Sequence, residues 1–100
     1  MLYVSGNIGV NPDTKAMVPG GVGPQARQVM ENLKNIIEEC GFSMSKVVKC
    51  TILLADMATF GEVNAIYGEY FPEEPPARAT FAVLGLPAGA LVEIEAICIA

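Results

Sequence analysis

Residues 75–99, PPARATFAVLGLPAGALVEIEAICI, hold one arginine and two glutamates inside an otherwise apolar run. Pro75 and Pro76 impose an extended backbone and remove two N–H donors, so Arg78 is expected at the beginning of a strand rather than inside a helix. From Ala79 the strand reads ATFAVL. It breaks at Gly85, Pro87 and Gly89 and resumes as LVEIEAICI, whose length and β-branched content predict a second strand. A two-residue period places Val92, Ile94, Ala96 and Cys98 on one face, and Leu91, Glu93, Glu95, Ile97 and Ile99 on the other. Glu93 and Glu95 therefore point the same way. A carboxylate on such a face is solvated, paired with a cation or held for chemistry. Taken alone, the Glu-x-Glu pair reads most simply as a wet sheet face or an interface salt bridge.

Working outward, PEEPPA is a rigid, partly exposed loop that delivers Arg78, and a helix precedes it. Phe60, Val63, Ile66, Tyr67, Tyr70 and Phe71 fall on one side of that helix, Asp56 to Thr59 supplies capping candidates, and Pro72 ends it. The aromatic stripe reads as core; Asn64 is its notable polar member, with an exposed helix amide as the plainer reading. Ahead of it, VVKCTILLA is too β-rich and continuous for a surface helix and predicts a central strand. A first helix runs from about Pro24, with Val29, Leu33, Ile36, Ile37 and Cys40 at helical spacing, to a stop at Gly41. Its Arg27, Glu31, Lys34, Glu38 and Glu39 form a solvated face with weak charge pairs. At the N-terminus, MLYVSG and NIGV form a strand or hairpin arm, NPDTK a turn, and Val18 a second arm leading into PGGVGP. The predicted order is β-β-α-β-α-β-β, with both helices covering one face of a single mixed sheet. The opposite face, carrying Glu93 and Glu95, is then solvated or covered by another subunit.

The 100 residues make one domain, 1–100. At 52% hydrophobic and mean hydropathy +0.42, the chain carries more apolar surface than one small core hides, which predicts a homo-oligomer. Six Lys and Arg against eleven Asp and Glu, without a basic cluster, argue against nucleic-acid binding. The lack of histidine removes Ser-His-Asp and Cys-His nucleophile systems, histidine acid–base catalysis and most zinc sites. Carboxylates, arginine, hydroxyls, backbone groups and water remain, and neither metal nor cofactor is expected. Cys40, Cys50 and Cys98 show no metal-ligand spacing and sit in apolar settings, so buried reduced thiols and a cytoplasmic address are expected. An organelle is the alternative should a targeting segment precede Met1. No run is long enough to span a membrane.

The strings YVSG-IGV-P-T, VPGGV, QV-ENLK-I-E--G, KVVK-T-LLADM-TFG-VN-IY--YF, PAR and LP-GALVEIEAI resemble the reactive-intermediate deaminase family, RidA, also called YjgF or the liver perchloric-acid-soluble protein (L-PSP) family. The likeness covers essentially the whole chain, and its most specific part runs from Pro-Ala-Arg to Val-Glu-Ile-Glu. It implies an α+β, chorismate-mutase-like (bacillus chorismate mutase-like) fold and a homotrimer, with the sheets facing inward and a ligand cleft at each subunit interface. It further implies a hydrolase, a 2-iminobutanoate/2-iminopropanoate deaminase that converts 2-aminoacrylate-type enamine/imine acids to 2-keto acids and ammonia. On this likeness Arg78 matches the arginine that grips the substrate carboxylate and Glu93 the glutamate that positions the attacking water. Gly6 and Asn64 match lesser pocket positions, and Thr80 stands where bacterial members often have cysteine. Asn7 replaces the usual glutamine after Ser-Gly. Members also carry a segment ahead of this first strand, with a Gly-Pro-Tyr-Ser motif whose tyrosine lines the cleft; its absence bears on turnover more than on ligand binding.

The residues agree with that chemistry. A guanidinium can hold a carboxylate by a bidentate fork while a second carboxylate orients or deprotonates water, without metal or histidine. Arg78 has a competing reading as an interfacial ion pair with Glu93 or Glu95, and Glu95 reads as structural. Three functions compete: the deaminase; an endoribonuclease, against which the charge and the missing histidine argue; and a non-catalytic trimer that binds small carboxylates or acts as a chaperone or regulatory subunit.

Overall fold

A continuous apolar, β-branched run makes Val47–Leu54 an inner strand whose Cys50, Ile52 and Leu54 are buried, while an irregularity in pairing between Val47 and Lys49 leaves Val48 and Lys49 facing solvent. The computed structural model describes residues 1–100. It runs β1 (Leu2–Asn7), α1 (Val22–Glu39), β2 (Val47–Leu54), α2 (Phe60–Glu69), β3 (Ala77–Ala82) and β4 (Val92–Cys98). The sheet order is β1-β4-β2-β3, so β2 and β4 are central and β1 and β3 are edges. Strand β3 lies parallel to β2, the geometry that a crossover helix such as α2 permits, whereas β4 is antiparallel to both of its neighbours. The sheet is thus mixed, as expected, and the two strands of the 75–99 segment are separated by β2 rather than paired with each other.

Both helices cover one face. Val29, Leu33 and Ile37 of α1 and Val63 and Tyr67 of α2 close over Cys50, Ile52, Val92, Ile94 and Ala96, and all are buried. Gln25 is the one buried polar residue; its Oε1 accepts a 2.9 Å hydrogen bond from the Leu91 N–H, tying α1 to the start of β4. The other face is uncovered: Tyr3 is 70% and Phe81 49% exposed.

Three expectations need correction. The second N-terminal arm is not a strand but a single bridge between Val10 and Met17. The reason lies in α1: Asn32 Nδ2 donates to the carbonyls of Ile8 and Val10, and the Gly9 backbone presses on Gln25, so the arm is held by the helix instead of by a sheet neighbour. Ile36 is partly exposed and Cys40 exposed, because Ala26 and Met30 complete the α1 stripe and Cys40 falls beyond its last turn. The charges of α1 also reach between elements. Arg27 forms a two-pronged pair with Glu69 of α2, each bond 3.0 Å, and the Tyr70 hydroxyl donates to Glu31.

Candidate functional site

Arg78 is placed by register. It pairs with Cys50, whose side chain points toward the helices, so Arg78 and Thr80 lie on the helix side of edge strand β3. The guanidinium is set against two aromatic rings of α2. Its carbon lies 5.3 Å from the Phe60 ring centroid and 5.2 Å from that of Tyr67, and Nη1 donates to Asn64 Oδ1 at 2.5 Å. Phe60, Asn64 and Tyr67 recur at i, i+4 and i+7, one stripe of one helix, which is why they converge on a single side chain. Within the chain Arg78 has no carboxylate partner, since the one ion pair is Arg27–Glu69. It borders a recess formed by Asn64, Tyr67, Gly68, Phe71, Pro75 and Pro76. The Thr80 hydroxyl nearby is shielded from solvent without a hydrogen-bond partner.

The carboxylates are on the other side. In β4, Val92, Ile94 and Ala96 are buried under the helices, whereas Glu93 is half-buried and Glu95 exposed on the open face. Val4 pairs with Ala96 and Asn7 with Ile94, so Ser5 and Gly6 together face Glu95 in a bulge. The Glu93 carboxylate lies over Gly6 so closely that a Cβ there would overlap its Oε2. The missing side chain at Gly6 leaves the space that the end of the Glu93 side chain occupies. Glu95 sits opposite Thr51 and forms no ion pair within the chain.

The structure therefore brings the sequence-predicted residues together in two groups, Arg78 with Asn64 and Thr80, and Glu93 with Gly6. It does not join the groups: Arg78 and Glu93 occupy opposite faces, and no Arg78–Glu93 or Arg78–Glu95 pair forms within one chain. Phe60 and Tyr67, expected in the core stripe of α2, also flank the arginine. Burial pushes the Tyr67 phenol well above its ordinary range, the neighbouring Cys50 thiol adds to the shift, and Arg78 opposes it. The Cys50 thiol is likewise raised, chiefly by burial. Both groups stay protonated near neutrality and cannot serve as bases there.

The four-stranded mixed sheet with two helices on one face has close counterparts among solved structures. The RidA structure from an Antarctic Psychrobacter superposes with a TM-score of 0.94 at 40% identity, over 98% of this chain and 79% of that one. The E. coli YjgF gene product gives 0.91 at 40% identity, over 97% and 78%. The fold is accordingly α+β and chorismate-mutase-like. The family profile described as Endoribonuclease L-PSP matches residues 1–100. In sequence, the chain is 50% identical over 99 residues to protein DfrA of Myxococcus xanthus, covering 99% of this chain and 76% of that protein. It is 48% identical over 98 residues to the 2-iminobutanoate/2-iminopropanoate deaminase of Mus musculus, covering 98% and 73%. The chain belongs to the RidA/YjgF (L-PSP) family.

Proposed function

We propose that the protein is a hydrolytic deaminase of 2-aminoacrylate-type enamine and imine acids, releasing the 2-keto acid and ammonia. The observation that carries this reading is the Arg78 guanidinium, oriented by Asn64 and two rings yet without an anionic partner in its own chain. A fork of N–H donors left open at a recess suits a small carboxylate. Relatives named as 2-iminobutanoate/2-iminopropanoate deaminases at 44–48% identity supply the substrate class.

In this reading 2-aminoacrylate, CH2=C(NH2)COO⁻, takes a proton on its terminal carbon and loses one from nitrogen, giving the imine. Arg78 holds the carboxylate and Glu93 accepts a proton from water as the water oxygen bonds to the imine carbon. The nitrogen takes up that proton to give the carbinolamine, a second proton passes from its hydroxyl to nitrogen as the C–N bond breaks toward nitrogen and the C=O bond forms, and pyruvate and ammonia leave. The sum is one enamine acid plus one water. Because the substrate is itself unstable, one positioning cation and one base meet the modest acceleration required. Thr80 supplies a hydroxyl beside Arg78, and Gly6 leaves room for the Glu93 carboxylate.

Since Arg78 and Glu93 lie on opposite faces, the complete site takes Arg78 from one copy and Glu93 from the next. A contact between different surfaces of neighbouring copies closes into a ring when the rotation between copies is a whole fraction of a turn, and the open, partly apolar sheet face supports burial in a homotrimer. The unpaired cysteines accord with a reducing compartment such as the cytoplasm. No helix is long and apolar enough to cross a membrane. The endoribonuclease reading, which the family description carries, is disfavoured by the formal charge of -5 and the lack of histidine. The test generates 2-aminoacrylate in situ and follows pyruvate. Wild type should exceed the spontaneous rate and Arg78→Ala should not; equal rates for the two would overturn the assignment, and keto-acid binding without acceleration would favour a carboxylate-binding module.

A further inference from the structure

We propose that Tyr67 is a positioning residue whose ring face, rather than its hydroxyl, fixes the plane of the Arg78 guanidinium for carboxylate binding. The proposal rests on the reading of Arg78 as the carboxylate ligand. A guanidinium at the end of a long side chain on an edge strand has many rotamers, and a bidentate grip on a carboxylate needs one of them. Asn64 accepts at a single nitrogen, which leaves the plane free to turn about that bond. The rings of Phe60 and Tyr67, at 5.3 and 5.2 Å, flank the guanidinium and restrict that turn.

Of the two rings, Tyr67 is the fixed one. It is 4% exposed, whereas Phe60 is only partly buried at the first position of α2. Phe71, itself buried, packs against it with centroids 5.0 Å apart and the rings tilted by 51°, so the Tyr67 ring cannot rotate without moving the core. Its hydroxyl is buried and lacks a hydrogen-bond partner. That hydroxyl lies beside the Cys50 thiol, whereas the guanidinium carbon sits over the ring, 5.2 Å from its centroid, so the ring face is the part that acts on Arg78.

The experiment measures binding of 2-oxobutanoate by calorimetry, with KM and kcat from in situ 2-aminoacrylate, for Tyr67→Leu, Tyr67→Phe, Arg78→Ala and the Tyr67→Leu/Arg78→Ala double variant. Thermal melts confirm folding, and Tyr67→Met replaces Tyr67→Leu if the latter does not fold. The expected result is a roughly tenfold rise in Kd and KM for Tyr67→Leu with kcat little changed. Phenylalanine restores both, and Tyr67→Leu has no further effect once Arg78 is gone. Wild-type affinity in Tyr67→Leu beside lost affinity in Arg78→Ala would overturn the positioning role alone. So would an equal loss from Tyr67→Leu with and without Arg78, which marks an effect through the fold, or a Tyr67→Phe variant as weak as Tyr67→Leu, which marks the hydroxyl. Wild-type affinity in Arg78→Ala would overturn the carboxylate reading itself.

Discussion

Arg78 and Glu93 stand on opposite faces of one sheet, Arg78 in register with the inward-facing Cys50 and Glu93 opposite Leu53 on the open face. On the proposed reading, an isolated chain presents a carboxylate-binding half and a water-activating half that do not meet across their own sheet. Each half is nonetheless finished locally. Asn64 and two rings orient the arginine, and the Ser5–Gly6 bulge accommodates the glutamate.

Gly6→Ala tests the second half. The added methyl overlaps the far end of a flexible side chain, so Glu93 moves aside at little cost to stability. The expected outcome is a kcat lowered by about tenfold or more, because a displaced base loses its water. Melting should shift by less than about 4 °C, corresponding to under about 1 kcal/mol. Parallel steady-state and melting measurements check it, and unchanged kcat would detach Gly6 from the site.

Asn64→Ala removes the acceptor at Arg78 Nη1 while leaving the rings in place. A hydrogen bond to a charged group contributes about 1.5–3 kcal/mol, so affinity for a keto acid should fall roughly tenfold or more. Calorimetry with 2-oxobutanoate reads this directly. The change should appear in KM rather than in kcat.

Stability should fall in alkali. Burial raises the Cys50 and Cys98 thiols above their ordinary 9.0 and the Tyr67 phenol above 10.0. A raised native pKa means the unfolded chain loses these protons first as pH rises. The stabilisation is then complete below about pH 8 and declines from about pH 9 toward the native values. Urea unfolding at pH 7, 9 and 10.5 checks the sign, and Cys50→Val should flatten the decline.

Cys40 is exposed at the end of α1, while Cys50 and Cys98 are buried. A thiol reagent should therefore modify one cysteine per chain quickly and the other two only on unfolding. Three fast-reacting thiols would contradict the packing of β2 and β4 under the helices.

Much of this arrangement is legible in the sequence where side-chain period and burial coincide. VEIEAIC alternates cleanly, so the shared face of Glu93 and Glu95 follows from spacing, and the continuous β-rich run VVKCTILL marks the inner strand. The α2 stripe is equally plain. What spacing could not supply is the face of Arg78, because ARATFA on an edge strand has no apolar alternation to fix it. Its direction is decided by pairing with Cys50, a contact 28 residues away in the chain. The bulge at Ser5–Gly6 and the capture of Ile8 and Val10 by Asn32 are likewise tertiary, which is why the expected second arm shrinks to one bridge. The resemblance to RidA named Arg78 and Glu93 and implied a cleft at each subunit interface, but not which face of the sheet carries each residue.

The most direct test mixes two inactive variants. Arg78→Ala and Glu93→Gln chains are unfolded together in equal amounts, refolded, and assayed for pyruvate release from in situ 2-aminoacrylate. If each site combines Arg78 of one copy with Glu93 of its neighbour, about a quarter of the wild-type activity returns, the fraction of interfaces in a randomly mixed ring that unite both intact residues. Mixed rings that remain as inactive as either variant alone would contradict a site shared between copies.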